Sequence, residues 1–81
     1  MGRMQGSRLN RWQSAVNVAG REVLAARWRS TVDALSIARA DYRRLHMAPA
    51  IDVRAVRKAA QRVQELEELR GVLARELLTV V

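Results

Sequence analysis

The sequence predicts an all-α protein, built as a long antiparallel helical hairpin with an N-terminal helical extension. Apolar residues recur at intervals of three and four through two long stretches, the spacing of an α-helix that buries one face. No stretch alternates apolar and polar residues as a half-buried strand does. One short segment with the only proline separates the two helical stretches, and a short connection favours antiparallel neighbours.

The first helical stretch has two apolar stripes. Asn10 and Gln13 have the spacing of a capping box, which predicts a helix start near Arg11. The apolar positions that follow are Trp12, Val16, Ala19 and Val23, and then Leu24, Trp28, Thr31, Leu35, Ala38, Tyr42 and Leu45. Ser30 and Asp33 repeat the capping spacing, so either one bent helix or two helices broken near 28–31 fit the pattern. We divide the chain into a basic N-terminal arm, 1–27, and a hairpin, 28–81.

The turn of the hairpin is expected near residues 46–51. Pro49 disfavours helical backbone at Ala48. The second helix then begins either with Pro49 as its first residue or with Asp52 as its N-cap. Its apolar side is predicted to contain Val56, Ala59, Ala60, Val63, Leu66, Leu73 and Leu77, and its polar side Arg54, Arg57, Lys58, Gln61 and Glu65.

The net charge of +7 is unevenly distributed along the chain. Residues 1–62 contain 13 Lys or Arg against four acids, a balance of +9, whereas residues 63–81 contain two Arg against four Glu, a balance of −2. All basic residues except Lys58 are arginine. Arginine presents a planar fork of donors that suits phosphate oxygens, which favours a nucleic-acid partner; a GC-rich genome is the alternative cause of the arginine bias.

Catalytic, metal and cofactor sites are not expected. The chain has no Cys and a single histidine, His46, which leaves nothing for a disulfide, a zinc site or a nucleophile with its base. A hairpin of this size with so few large apolar residues buries too little surface to be a stand-alone monomer. A membrane partner is not expected, because no uncharged stretch approaches the ~20 residues that span a bilayer.

Two kinds of binding residue are predicted. Basic residues flank the turn from both helices and suit several phosphates, although a solvated polar face is the alternative. The RNA-binding candidates are Arg39, Arg43, Arg54, Arg57, Lys58 and Arg62. Trp12, which sits apart from the stripe of Trp28 and Tyr42, and the C-terminal tail, which is apolar on all sides, are candidates for contact with a partner protein. These candidates are Trp12, Leu77, Leu78, Val80 and Val81. Trp28 and Tyr42 are expected in the core.

The stretch 53–63, Val-Arg-Ala-Val-Arg-Lys-Ala-Ala-Gln-Arg-Val, resembles the second helix of the ribosomal large-subunit protein twenty-nine family. Leu35 and Arg39 resemble the leucine and arginine near the end of that family's first helix, and residues 46–49 fall at its Pro-containing turn. The resemblance covers residues 28–73; Ala40 and Leu45 depart from it, standing where the family often has an aromatic residue and a glycine. It implies a two-helix hairpin on ribosomal RNA, contacted by the six basic residues above.

Together these observations predict a non-catalytic structural subunit of a large assembly. The first expectation is a protein of the large ribosomal subunit that binds ribosomal RNA and neighbouring proteins during translation. The alternative is a helical accessory subunit of a respiratory complex, an ATP synthase or a phage particle, bound through apolar helix faces. The first 21 residues are basic and free of acids, like a transit peptide, so a mitochondrial or other organellar matrix is expected, with a bacterial cytoplasm as the alternative.

Overall fold

The computed structural model describes the backbone of residues 2–79 and the side chains of residues 18–79. Helix α1 spans Gly2–His46 and helix α2 spans Val53–Thr79. The two helices pack against each other, which confirms the predicted all-α hairpin. The molecule is 74 Å long and 15 Å by 14 Å across.

Helix α1 is continuous over 45 residues, which corrects two predictions. It begins at Gly2 rather than near Arg11, so Asn10 lies inside the helix and is not its N-cap. It also runs through 28–31 without a break. At this point the hydroxyl of Thr31 donates a 2.8 Å hydrogen bond to the carbonyl of Arg27, so this buried polar side chain has its partner within the helix.

The end of α1 is favourable for positive charge. Its last turn contains Arg43, Arg44 and His46, which interact well with the partial negative charge of a helix C-terminus. The amide of Met47 donates to the carbonyl of Arg43 at 3.0 Å, and the rings of Tyr42 and His46 stack with centroids 5.7 Å apart. These interactions stabilise the last turn of α1, and residues 47–52 form the turn that follows it.

Asp52 is the N-cap of α2, so the second of the two predicted starts is correct. Its Oδ1 accepts hydrogen bonds from the amides of Arg54 at 3.1 Å and Ala55 at 3.2 Å. Its carbonyl accepts the first helical bond from Val56 at 3.0 Å. Pro49 therefore lies in the turn, four residues before the first residue of α2.

The two helices meet along what we call the seam, a line of residues spaced alternately by three and four on each helix, as in a coiled coil. All of them are buried or half-buried. The α1 positions are Leu24, Trp28, Thr31, Leu35, Ala38, Tyr42 and Leu45, and the α2 positions are Val56, Ala59, Val63, Leu66, Arg70, Leu73 and Leu77. The predicted stripe needs two corrections: Ala60 is exposed, and Arg70 occupies a seam position between Leu66 and Leu73.

The buried core is small. Among residues 18–79, the buried apolar side chains are Leu35, Leu66 and Leu73, and Thr31 is buried beside them. The stability of the hairpin therefore depends on a few leucines, and deletion of any of them leaves a cavity that little else can fill.

We expect Leu35→Ala to lower the free energy of unfolding by about 2–5 kcal/mol, because it removes a side chain that is only 1% exposed. Ile37→Ala is the matched control, since Ile37 is on the same helix and 72% exposed; its effect should stay within about 0.5 kcal/mol. Urea unfolding followed by the helical circular dichroism signal measures both. Equal effects of the two substitutions would contradict the observed helix packing.

Candidate polyanion-binding surface

Three arginines from both helices surround one open depression beside the seam, which we call the basic depression. It encloses about 230 Å³. Its lining consists of Val32, Leu35, Ser36, Arg39, Arg43 and Arg70. Val32, Ser36, Arg39 and Arg43 of α1 follow one another at intervals of three or four residues, so they share one side of that helix. Leu35 lines the depression from the adjacent seam, and α2 contributes Arg70 from across it.

The basic depression carries more positive than negative charge. Arg39 Nη2 donates to Glu67 Oε1 at 3.0 Å, and both side chains are 44% exposed. An ion pair this exposed contributes about 0–1 kcal/mol, so Arg39 can exchange Glu67 for a phosphate at little cost. Among residues 18–79, neither Arg43 nor Arg70 forms an ion pair with a carboxylate.

Arg70 is the site residue that the sequence reasoning missed. The predicted apolar stripe stepped from Leu66 to Leu73, whereas alternating spacings of three and four pass through position 70. Arg70 is half-buried there. In coiled coils, a polar residue at such a position lowers stability but specifies the register and number of the helices. Arg39 and Arg43 beside Arg70 are also cationic, so an anion in the depression would relieve their mutual repulsion.

The other predicted RNA-binding residues lie elsewhere on the hairpin. Arg62 is on the opposite side of the seam, in a depression of about 300 Å³ that it lines with Ala34, Ile37, Ala38 and Asp41. Arg54 and Lys58 precede Arg62 by eight and four residues and so belong to the same helical row, which we call the Arg62 row. Arg57 is exposed on the outer face of α2. Five of the six predicted residues therefore form two groups on opposite sides of the hairpin rather than one cluster, and Arg57 belongs to neither group.

An acid moderates the positive charge near Arg62. Asp41 lines the same depression and forms an ion pair with Arg44, one turn further along α1. The basic depression has no such additional carboxylate in its lining. Of the two groups, the one at Arg39, Arg43 and Arg70 is therefore the better anion site.

The far end of the hairpin carries an apolar cleft of about 470 Å³. Its lining consists of Arg21, Ala25, Trp28, Ala74, Leu77 and Leu78. Of the predicted partner-protein contacts, Leu77 is half-buried in this cleft and Leu78 is 77% exposed at its edge. The side chain of Trp12, and residues Val80 and Val81, lie outside the described part of the chain.

Trp28 and Tyr42 are both half-buried at seam positions, as expected for core aromatics. Among the described residues, no three His, Asp or Glu side chains come together in a way that would hold a metal ion. Within the same part of the chain, neither helix contains an apolar stretch of the length and hydropathy that crossing a bilayer requires.

The chain matches no protein-family model, no curated protein and no solved structure.

Arg70→Leu is expected to raise the free energy of unfolding by about 1 kcal/mol. Leucine at a seam position adds apolar burial between Leu66 and Leu73, and the substitution removes the repulsion with two neighbouring arginines. Arg75→Leu is the matched control, because Arg75 is an exposed residue of the same helix, and its effect should stay within about 0.5 kcal/mol. Thermal unfolding of both variants measures the difference in stability. If the Arg70→Leu variant were less stable than the native chain, Arg70 would not occupy a seam position at which leucine packs better.

Proposed function

We propose that this protein is a non-catalytic RNA-binding subunit of a ribonucleoprotein assembly. The observation that carries the proposal is the convergence of Arg39, Arg43 and Arg70 on one depression in which a single carboxylate, that of Glu67, pairs with one of them. Guanidinium groups donate paired hydrogen bonds to phosphate oxygens. Phosphate contacts supply most of the sequence-independent affinity for nucleic acids.

The arrangement of basic residues suits a protein that lies between two segments of RNA backbone. The basic depression faces one side of the seam and the Arg62 row faces the other. The hairpin is only about 15 Å thick, so two backbone segments on opposite sides are held at a fixed separation. Holding two backbone segments in this way is a structural role, and it requires no catalytic group.

The large ribosomal subunit is the first assembly to test. The reason is the resemblance of residues 53–63, and of Leu35 with Arg39, to the ribosomal large-subunit protein twenty-nine family. Arg39 lies in the basic depression, whereas the matching stretch of α2 carries the Arg62 row. In this proposal both groups contact ribosomal RNA.

A second candidate function is that of an accessory subunit held to another protein through its apolar end. The observation that favours it is the apolar cleft, where Leu78 is exposed next to Trp28 and Leu77. Burial of such a patch is driven by apolar area and depends little on salt. This difference separates the two candidates experimentally.

We expect Arg39→Gln combined with Arg43→Gln to weaken RNA binding by at least about tenfold, because each substitution removes a charged hydrogen bond to phosphate. Fluorescence anisotropy with labelled ribosomal RNA fragments, measured across a salt series, gives the affinity and its salt dependence. The slope of log affinity against log salt should become shallower by about 0.7–0.9 for each phosphate that the variant no longer neutralises. Arg70→Leu should weaken binding as well, although it stabilises the fold.

The matched control is Arg27→Gln combined with Arg75→Gln, which changes the net charge equally at two exposed positions outside both basic groups. RNA binding by this control should remain close to that of the native chain. An equal decrease in affinity for both double variants would show that only the overall charge matters and would overturn the proposed site. Salt-independent retention in a large complex that nuclease leaves intact, and that Leu78→Ser abolishes, would favour the second candidate.

A further inference from the structure

Helix α1 extends well past the end of α2. It is longer by 18 residues, about 27 Å at 1.5 Å per residue. The C-terminal turn of α2 lies beside Arg21 and Ala25, because Leu77 and Leu78 line the same cleft as those residues. Residues 2–20 of α1, which we call the projection, therefore extend away from α2. Most helical stability in proteins comes from tertiary packing, so a surface that covers the projection would stabilise it.

The C-terminal half of α2 presents an uncovered row of its own. Leu69 and Val72 are 39% and 41% exposed, although Leu66 and Leu73 next to them are buried in the seam. Glu65 and Glu76 flank this exposed pair at helical spacing, and with Leu69 and Val72 they form what we call the acidic row. Among residues 18–79, neither glutamate forms an ion pair; Glu65 accepts only a 3.2 Å hydrogen bond from the neutral amide of Gln61.

The charges of the two surfaces are complementary. The projection contains Arg3, Arg8 and Arg11 and no acid, a balance of +3, whereas the acidic row contains Glu65 and Glu76 and no basic residue, a balance of −2. Residues 63–79 of α2, which include the acidic row, extend about 26 Å, so the projection is long enough to cover that row. A chain cannot satisfy this match by itself, because its projection leads away from its own α2.

We infer that two copies of this chain form a symmetric dimer in which the projection of each lies along the acidic row of the other. A two-fold axis near the C-terminal end of α2 makes both contacts at once and closes the assembly. Each half of the dimer is then a three-helix layer of α1, α2 and the projection of the other copy. RNA binding is not required for this association, and the basic depression stays outside it.

A second copy explains the observations better than RNA does. An RNA strand would neutralise the arginines of the projection but would leave the acidic row uncovered and repelled. The second copy covers both surfaces, and it provides apolar contact for Leu69 and Val72 as well as opposite charge.

Sedimentation equilibrium of the full chain, freed of RNA by nuclease and a high-salt wash, tests the dimer. We expect a mass twice the 9.2 kDa of one chain at micromolar concentration. Raising salt from about 0.1 M to 1 M shortens the screening length from ~10 to ~3 Å and should shift the protein toward monomer. A native chain that stays monomeric under both conditions would overturn the inference.

Substitutions locate the interface. Glu65→Lys with Glu76→Lys should weaken dimerisation by about tenfold or more, and adding Arg8→Glu with Arg11→Glu to that variant should restore it. Leu69→Ser with Val72→Ser should give monomers that remain helical by circular dichroism.

The matched control is Asp33→Lys with Asp41→Lys, which makes the same charge change at exposed positions of α1 and should leave the dimer intact. If the control dissociates the dimer as strongly as the acidic-row variant, or if the charge swap fails to restore it, the inferred interface is wrong. Abolished RNA binding in Arg8→Glu with Arg11→Glu, in a chain that is always monomeric, would identify the projection as an RNA-binding arm instead. The RNA-binding test uses different residues, Arg39 and Arg43. Failure of the inferred dimer can therefore be distinguished from failure of the proposed RNA-binding function.

Discussion

The packing of three leucines along one seam is the interaction on which the rest of this structure depends. Leu35, Leu66 and Leu73 are the buried apolar side chains of the described part of the hairpin. Their contact fixes which faces of α1 and α2 meet, and hence which residues remain at the sides and on the outside. A seam with so little buried area stabilises a small domain only modestly. A partner that binds the folded state would therefore raise the stability of the hairpin.

The same seam decides what the basic residues can do. Helical rows adjacent to it on α1 and α2 come together, and this brings Arg70 next to Arg39 and Arg43 although α2 is acidic over that half. Arg70 takes a position where leucine would pack better. A charged group retained at a structural cost is common at functional sites, and here it gives the proposed RNA-binding site its third positive charge.

The two proposed associations use different parts of the hairpin surface. The basic depression lies beside the seam, with Arg70 as its α2 member, whereas the acidic row is an exposed row of α2 away from the seam. Binding at one place leaves the other free, so a dimer presents two basic depressions. Linking two weak sites in one particle raises overall affinity when the partner spans both. Small hairpins could organise a long polyanion in this way without any larger binding domain.

The amino-acid sequence by itself determined the helical hairpin, the position of its turn and nearly all of its seam, because these follow from apolar spacing and from the backbone limits of proline. The capping-box spacings were misleading, because Asn10 and Ser30 both lie inside α1. Continuous helical hydrogen bonding over 45 residues outweighs a local cap. Between Pro49 and Asp52, only the structure decided where α2 begins. Only the tertiary structure separated five of the six predicted basic residues into two groups, left Arg57 outside both, and added Arg70 to one of them. The reason is geometric: spacing along a helix gives the face of each residue, but its neighbours across the seam depend on how the two helices are aligned and rotated against each other.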